Sequence, residues 1–308
     1  MKIKDNVFWI FGQSFSLYFK NFKSFFRYMA FPVFGQIVGM LLILAATFFY
    51  SNNITKLVTK GGVLDNFSMI FLLLIVLLLP GFLIFIKSLG DYLLAYGAIN
   101  SMVDNMIKSG KVYDFHAHTE LIRRKSAKFS LLWLVLAMMG IIGLFPLFWV
   151  IAIIMFVYFI LVFQVFTFEP DKSVYGCFKK SVDIIIKGHF LKTSALAILM
   201  GGLTYWLIPN VIQYGFDFLH ITDFLAFLLE GWTKQLPLDN LNQLLVQSHT
   251  GIQLTPKMLG EGFVDSNLNY VLTCFMLPIR SICWSLWYKA LNKGEVKLDK
   301  RILERASK

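Results

Sequence analysis

The forty residues FSLLWLVLAMMGIIGLFPLFWVIAIIMFVYFILVFQVFTF, 129–168, contain no charged side chain. As one helix they would extend about 60 Å, twice the roughly 30 Å of a bilayer's hydrocarbon core. A single crossing cannot use that length, and water cannot solvate that much apolar surface. The segment therefore reads as two membrane helices joined by a tight hairpin. Gly143-Leu144-Phe145-Pro146 carries the residues that would make the turn.

Working outward, apolar stretches of spanning length also lie at 26–50, 67–86, 190–212 and 268–291, and the hairpin supplies 129–144 and 147–168. Loop charge tests this count of six. Alternate loops hold 24 Lys and Arg on one side and 4 on the other, with Arg280 left inside the last span. Basic residues near span ends stay on the cytoplasmic side, so both termini are expected in the cytoplasm. The predicted fold class is all-α: a polytopic membrane helix bundle of six transmembrane helices, N-in and C-in, forming one integral domain over 1–308. Its outside loop is 213–267 and its cytoplasmic tail 292–308.

Composition agrees. Of 308 residues, 57% are hydrophobic and 15% charged, with a mean hydropathy of +0.66. Soluble domains carry about 25% charged residues, which excludes a soluble enzyme. The net charge of +11 does not mark a nucleic-acid binder, because the basic residues punctuate apolar runs instead of forming one patch. Cys177, Cys274 and Cys283 are odd in number and read as packing residues, not a disulfide framework. Lys2 and Lys4 resemble the start of a signal peptide. The apolar stretch after them is broken by Gly12, Gln13, Ser14 and Ser16, so the first span is expected to be an uncleaved anchor. Lys outnumbers Arg 23 to 6, and Phe, Ile and Asn are abundant. That bias points to an AT-rich bacterial genome, and hence to a bacterial cytoplasmic (inner) membrane.

Cytoplasmic interfacial amphipathic helices are expected between the spans. Phe8, Phe11, Phe15, Tyr18, Phe22 and Phe25 recur at three- and four-residue steps beside Lys20 and Lys23, a pattern that suits a helix lying along the inner leaflet. The alternative is the start of one tilted first span. Residues 87–128 read as an extension of the second span that breaks near Ser109-Gly110. A further helix then brings Arg123, Arg124, Lys125 and Lys128 to the membrane face. There they would meet anionic head groups, each charge contributing about 1 kcal/mol, or serve only to set topology. The outside loop, with six acids against Lys234 and Lys257, is where an envelope protein partner would bind; its 224–232 stretch is too short to span.

Ionisable groups at membrane depth are where function is sought first. Arg280 is the clearest, and Glu169 and Asp91 are its candidate partners, with a structural clamp preferred to a substrate contact. His116 and His118 in an H-x-H read as solvated loop histidines, because no distant third ligand is evident. No metal, cofactor or catalytic site is expected: the chain has no P-loop, H-E-x-x-H, G-x-S-x-G or Gly-rich dinucleotide turn. Gly35-Gln-Ile-Val-Gly39 permits a close helix crossing, within the chain or between chains. Pro32, Pro80, Pro146, Pro209 and Pro278 read as kinks and caps, though broken helices also occur in transporters.

Between the fourth and fifth spans, Glu169-Pro170 stops one helix. Asp171 is the expected N-cap of the next and Gly188 its terminator. Lys172, Gly176, Lys179, Asp183 and Lys187 form the polar stripe, and Val174, Phe178, Val182 and Ile185 the apolar one. Lys179 and Lys180 join the candidate head-group contacts. This segment resembles the bacterial membrane domain attached to some glycerophosphoryl diester phosphodiesterases, and related stand-alone six-span proteins of unknown function. The resemblance rests on Glu169, Ser173-Val174, Cys177-Phe178, Ser181, Ile185 and Lys187-Gly188-His189-Phe190. A second stretch, Ala98-Ile99 with Gly110-Lys111 leading into Leu121-Ile122-Arg123-Arg124, adds to it. It implies a membrane module without the phosphodiesterase activity, whose soluble barrel nothing here could house. The expected function is a non-catalytic inner-membrane module that interacts with lipid or protein. A small-solute transporter or channel component is the alternative, and a membrane-embedded lipid enzyme is a more distant one.

Overall fold

The computed structural model describes residues 3–60, 67–234, 238, 242 and 253–292. The tail from 293 and most of 235–252 lie outside the described residues, so the expectations for 292–308 and for the middle of the 213–267 loop fall there. Among the described residues every regular element is helical. Helix α1 is Val7–Lys20, α2 Phe22–Lys60, α3 Phe67–Ser109, α4 Phe115–Arg123 and α5 Ser126–Ile142. A 3₁₀ turn at Pro146–Phe148 leads into α6 (Trp149–Phe159) and α7 (Val162–Phe168). After α8 (Val174–Ile186) and α9 (Phe190–Gly201), a π-helical turn at Gly202–Leu207 continues into α10 (Ile208–Phe218). The last elements are α11 (Ile221–Thr233), α12 (Pro256–Phe275) and α13 (Leu277–Leu291).

Five continuous runs are long and apolar enough to cross a membrane: Phe22–Thr47, Phe71–Ser109, Pro146–Phe168, Phe190–Phe218 and Pro256–Leu291. A sixth comes from α5, to which α4 is joined at a 74° bend. All six expected spans lie on these helices. The last begins at Pro256 instead of 268, and the fifth continues to Phe218 instead of 212. The uncharged run turns where expected: α5 ends at Ile142, and a Cβ on Gly143 would lie 3.2 Å from that of Ala152 across the hairpin. Leu134, Met138, Ile141, Val150, Ile153 and Phe156 are all exposed. A chain in water does not display so broad an apolar surface, and a multi-pass membrane protein requires one.

The chain forms two compact units. The first comprises Met1–Ala30, Asp91–Tyr205 and Phe275–Lys308, and the second Phe31–Gly90 and Trp206–Cys274. In the first, α1 packs along α13 and α9, burying Ile10, Ser14, Leu17 and Tyr18. The periodic aromatic residues are divided between the two sides: Tyr18 and Phe25 are buried, whereas Phe8 and Phe22 stay exposed. The expected helix therefore has a protein-facing side as well as an exposed one. Asn21 between α1 and α2 is buried; its amide donates to Leu17 O and Gly110 O and accepts from Val112 N, which ties that joint to the end of α3. α3 ends at Ser109 and Gly110 follows with φ +72°, as the sequence predicts.

α8 packs against α6, α7, α5 and α9. Its N-cap is Ser173, whose hydroxyl accepts from Gly176 N at 3.1 Å, and not Asp171. The Pro170 turn uses two residues more than expected before the helix starts. The buried face is Cys177, Ser181, Ile184 and Ile185, rotated from the predicted apolar stripe. Ser181 accounts for the rotation: its hydroxyl donates to Tyr158 O at 2.6 Å, near the break between α6 and α7. Gly188 closes the segment at φ +91°.

In the second unit, the Gly35/Gly39 pair is used within the chain. A Cβ on Gly39 would sit 2.7 Å from Phe85 N, and one on Gly81 2.8 Å from Ile43 N, so α2 and α3 cross backbone to backbone. Gln36 is buried, donating to Pro32 O and accepting from Tyr270 Oη. α11 is 13 residues long, too short to span, and packs beside α10.

Candidate functional site

Every residue of α13 from Leu277 to Lys289 is buried. Its polar residues Ser281, Ser285 and Lys289 recur every four positions and so share one face. On α3, Tyr96, Asn100 and Asp104 have the same spacing, and the two stripes meet in register. Ser281 Oγ lies 2.5 Å from Asn100 Oδ1 and 3.3 Å from Tyr96 O, Ser285 Oγ lies 3.2 Å from Asn100 Oδ1, and Lys289 Nζ lies 2.5 Å from Asp104 Oδ1. The order of these contacts makes the two helices run in the same direction, as second and sixth spans must. Gln164 of α7 completes the group, its Nε2 donating to Asn100 Oδ1 at 3.2 Å. Asn100, Gln164, Ser281 and Ser285 are wholly enclosed.

Arg280 stands at one end of this seam. It is buried, and its guanidinium lies 4.2 Å from the ring centroid of Tyr205, which projects from the π-helical turn. π-turns commonly mark functional positions in helices. At the other end, Glu169 closes α7 and accepts from Tyr288 Oη; Lys172 and Lys180 Nζ lie 3.9 and 4.0 Å from its carboxylate. Phe168 stacks on Tyr288 at 5.7 Å, and the Lys289 ammonium lies 4.1 Å from the Phe168 ring centroid. Lys289 therefore has both an anion and an aromatic face for its charge.

The sequence paired Glu169 with Arg280. The structure instead places Glu169 on Tyr288, on Lys172 of the α7–α8 turn and on Lys180 of α8. Tyr288 is eight residues beyond Arg280, about 12 Å along the helix, so the two ends of the seam are separate. Asp91 is half-buried on α3, nine residues before Asn100.

Of the candidate head-group contacts, Arg123 and Arg124 both reach Glu120, at 3.9 and 3.4 Å, and the Arg123 side chain remains 74% exposed. Lys125 is half-buried at the α4–α5 elbow; burial pushes its ammonium below the ordinary value and Lys128 adds to the effect. Lys179 is exposed and Lys180 is one of the Glu169 partners. Lys128 has a structural use that charge counting did not reveal. Its ammonium donates to Pro170 O at 3.3 Å and to Lys172 O, which caps the turn that holds Glu169.

His116 is exposed, as expected, but His118 is buried and the solvated reading fails there. The two lie on α4, a helix, where neighbours two apart point away from each other. Asn105 Nδ2 lies 3.1 Å from His118 Nε2, and Ser101 Oγ lies 2.6 Å from Nδ1 and donates onward to Ala98 O. These partners suit a neutral imidazole carrying its proton on Nδ1. Burial pushes its pKa down to about 4, against the opposing pull of Asp114 and Asp104. Among the described residues no group of three or more His, Cys, Asp or Glu is placed to hold a metal ion.

No family model, curated protein or solved structure matches this chain. What sequence reasoning missed was the partnership of Asn100, Asp104, Ser281, Ser285, Tyr288 and Lys289. The signal was present as a four-residue polar repeat on two apolar helices, and loop charge counting looks past it.

Proposed function

We propose that this chain is a non-catalytic module of a bacterial cytoplasmic membrane, with six spans and both termini inside, that engages anionic lipid head groups through its basic surface. One observation carries this reading. Lys289 is taken up by Asp104, Glu169 by Tyr288 and lysines, and His118 by Ser101 and Asn105, while Arg123 and Lys179 remain at the surface. An acid or base satisfied in that way ties helices together and is not poised over a substrate. The resemblance to the membrane domain of some phosphodiesterases supports the same reading, without the phosphodiesterase activity.

The experiment compares thermal unfolding in nanodiscs with and without anionic lipid. The wild-type chain should be stabilised by the anionic lipid. Replacing Arg123, Arg124, Lys125, Lys179 and Lys180 by Gln should remove most of that difference, and an unchanged difference would overturn the reading. The 213–267 loop, where α11 exposes Phe224, Phe227 and Leu228, would face the other side and offer a surface to an envelope protein. A transporter or channel component remains the second reading, favoured by the enclosed polar group around Gln164 and by the broken α6–α7 and α12–α13 spans. Ion or solute flux in proteoliposomes tests it.

A further inference from the structure

Helix α11 divides into three sides. Thr222, Ala226 and Thr233 are buried, and a Cβ on Gly260 of α12 would lie 3.2 Å from Ala226 O, so this side is closely packed. Phe224 and Leu228, each 61% exposed, and Phe227, 69% exposed, lie away from it beside the exposed Leu225. At about 100° per residue, Asp223, Glu230 and Lys234 share a narrow third edge. Glu230 pairs with Lys234 at 3.0 Å, and Asp223 Oδ2 lies 2.9 Å from His220 Nδ1. The corner before α11 is fixed in place: His220 takes φ +56°, and Thr222 Oγ1 donates to Asp217 Oδ1 at 2.6 Å.

Two arguments name the occupant of the apolar side. Protein interfaces form about one hydrogen bond per 100–200 Å², and the Phe and Leu side chains here offer none. The side also continues a surface of spanning character. On α10, Val211, Tyr214 and Phe218 recur at three- and four-residue steps, all exposed, at the end of the run Phe190–Phe218. Leu219 carries the exposed apolar surface round the corner to α11. A helix with one apolar and one charged side, too short at 13 residues to span, lies in the plane of a membrane interface. We propose that α11 is embedded in the leaflet opposite the basic loops, with Phe224, Phe227 and Leu228 among the acyl chains and Asp223, Glu230 and Lys234 at head-group level. Two acids against one lysine give that edge no attraction for anionic lipid, so apolar area alone holds the helix. An envelope protein would meet the polar edge. The proposal takes the two-sided topology as given and needs none of the basic surface residues above.

The test is spin labelling of the full chain, with Cys177, Cys274 and Cys283 replaced by Ala, in nanodiscs of phosphatidylcholine with and without phosphatidylglycerol. Labels on Phe224→Cys, Phe227→Cys and Leu228→Cys should collide several-fold more often with oxygen, which partitions into acyl chains, than with a water-soluble nickel chelate. Asp223→Cys and Glu230→Cys should show the reverse, and the contrast should be the same in both lipids. Chelate-accessible labels on the apolar side would overturn the proposal. Labels shielded from both reagents would overturn it too, by placing a second copy of the chain on that side. So would a contrast that appears only with phosphatidylglycerol, which would make charge the anchor. Should one variant fail to fold, the other positions of the same side decide. Failure of the anionic-lipid stabilisation described above leaves this contrast intact, so the two readings fail separately.

Discussion

Lys289 and Asp104 illustrate how an ionised pair is tolerated among apolar helices: the ammonium meets a carboxylate at 2.5 Å and the face of Phe168 at 4.1 Å. Removing one partner strands the other, so Lys289→Met should destabilise the chain by about 3–5 kcal/mol, while Lys289→Met with Asp104→Leu should recover most of the loss. Denaturant unfolding in micelles measures both. His118 makes a pH-dependent contribution. Its folded pKa of about 4 lies below the unfolded value of about 6.5, so the unfolded chain takes up the proton first. The contribution is complete above pH 6.5 and is lost as pH falls toward 4, by up to about 3 kcal/mol. His118→Gln should flatten the stability profile in that window, and an unaltered profile would assign the slope to other groups. Neither the burial of His118 nor the partners of Glu169 was legible in the sequence. His118 is covered by Ser101 and Asn105 of the preceding helix and Glu169 by the distant Tyr288, whereas a local window around Asp-Phe-His-Ala-His-Thr-Glu looks like a polar loop.

Single helices were read more reliably than their faces. The hairpin at 143–146, the end of α3 at Ser109-Gly110 and the stop at Glu169-Pro170 all rest on local backbone chemistry, and the structure has each in place. The face of α8 was misjudged because its buried side includes Ser181, which a count of apolar positions leaves out. Glycine gave a sharper signal. Gly39 meets the Phe85 backbone and Gly12 meets nothing within 4 Å. Gly39→Ala should therefore destabilise the α2–α3 crossing by about 1–3 kcal/mol. Gly12→Ala should be neutral or stabilising by up to about 1 kcal/mol. Thermal melts of the two variants side by side check this, and equal melting temperatures would mean that the crossing relaxes without loss.

At the scale of the whole molecule, only 11% of the most apolar stretch in Phe71–Ser109 and 22% in Pro146–Phe168 is covered by protein, against 72% in Pro256–Leu291. Hydropathy runs against enclosure, 2.6 and 2.7 against 1.3: the most enclosed run is the one that carries Ser281, Ser285 and Lys289. The sidedness inferred from loop charge is open to direct measurement. In a chain whose three buried cysteines are replaced by Ala, Lys179→Cys should resist a membrane-impermeant thiol reagent in intact cells, and Lys234→Cys should react; the reverse pattern would invert the topology. The helical class, the number of apolar stretches of spanning length and the positions of the breaks are all written in the sequence. Hydrophobicity, charge and turn chemistry are properties of contiguous residues, so they can be read in order along the chain. Which faces meet emerges with folding: Ser281, Ser285 and Lys289 find Asn100 and Asp104, and Glu169 finds Tyr288. Those choices are made between residues more than a hundred positions apart, and a polar repeat on one helix does not by itself say which other helix it will meet.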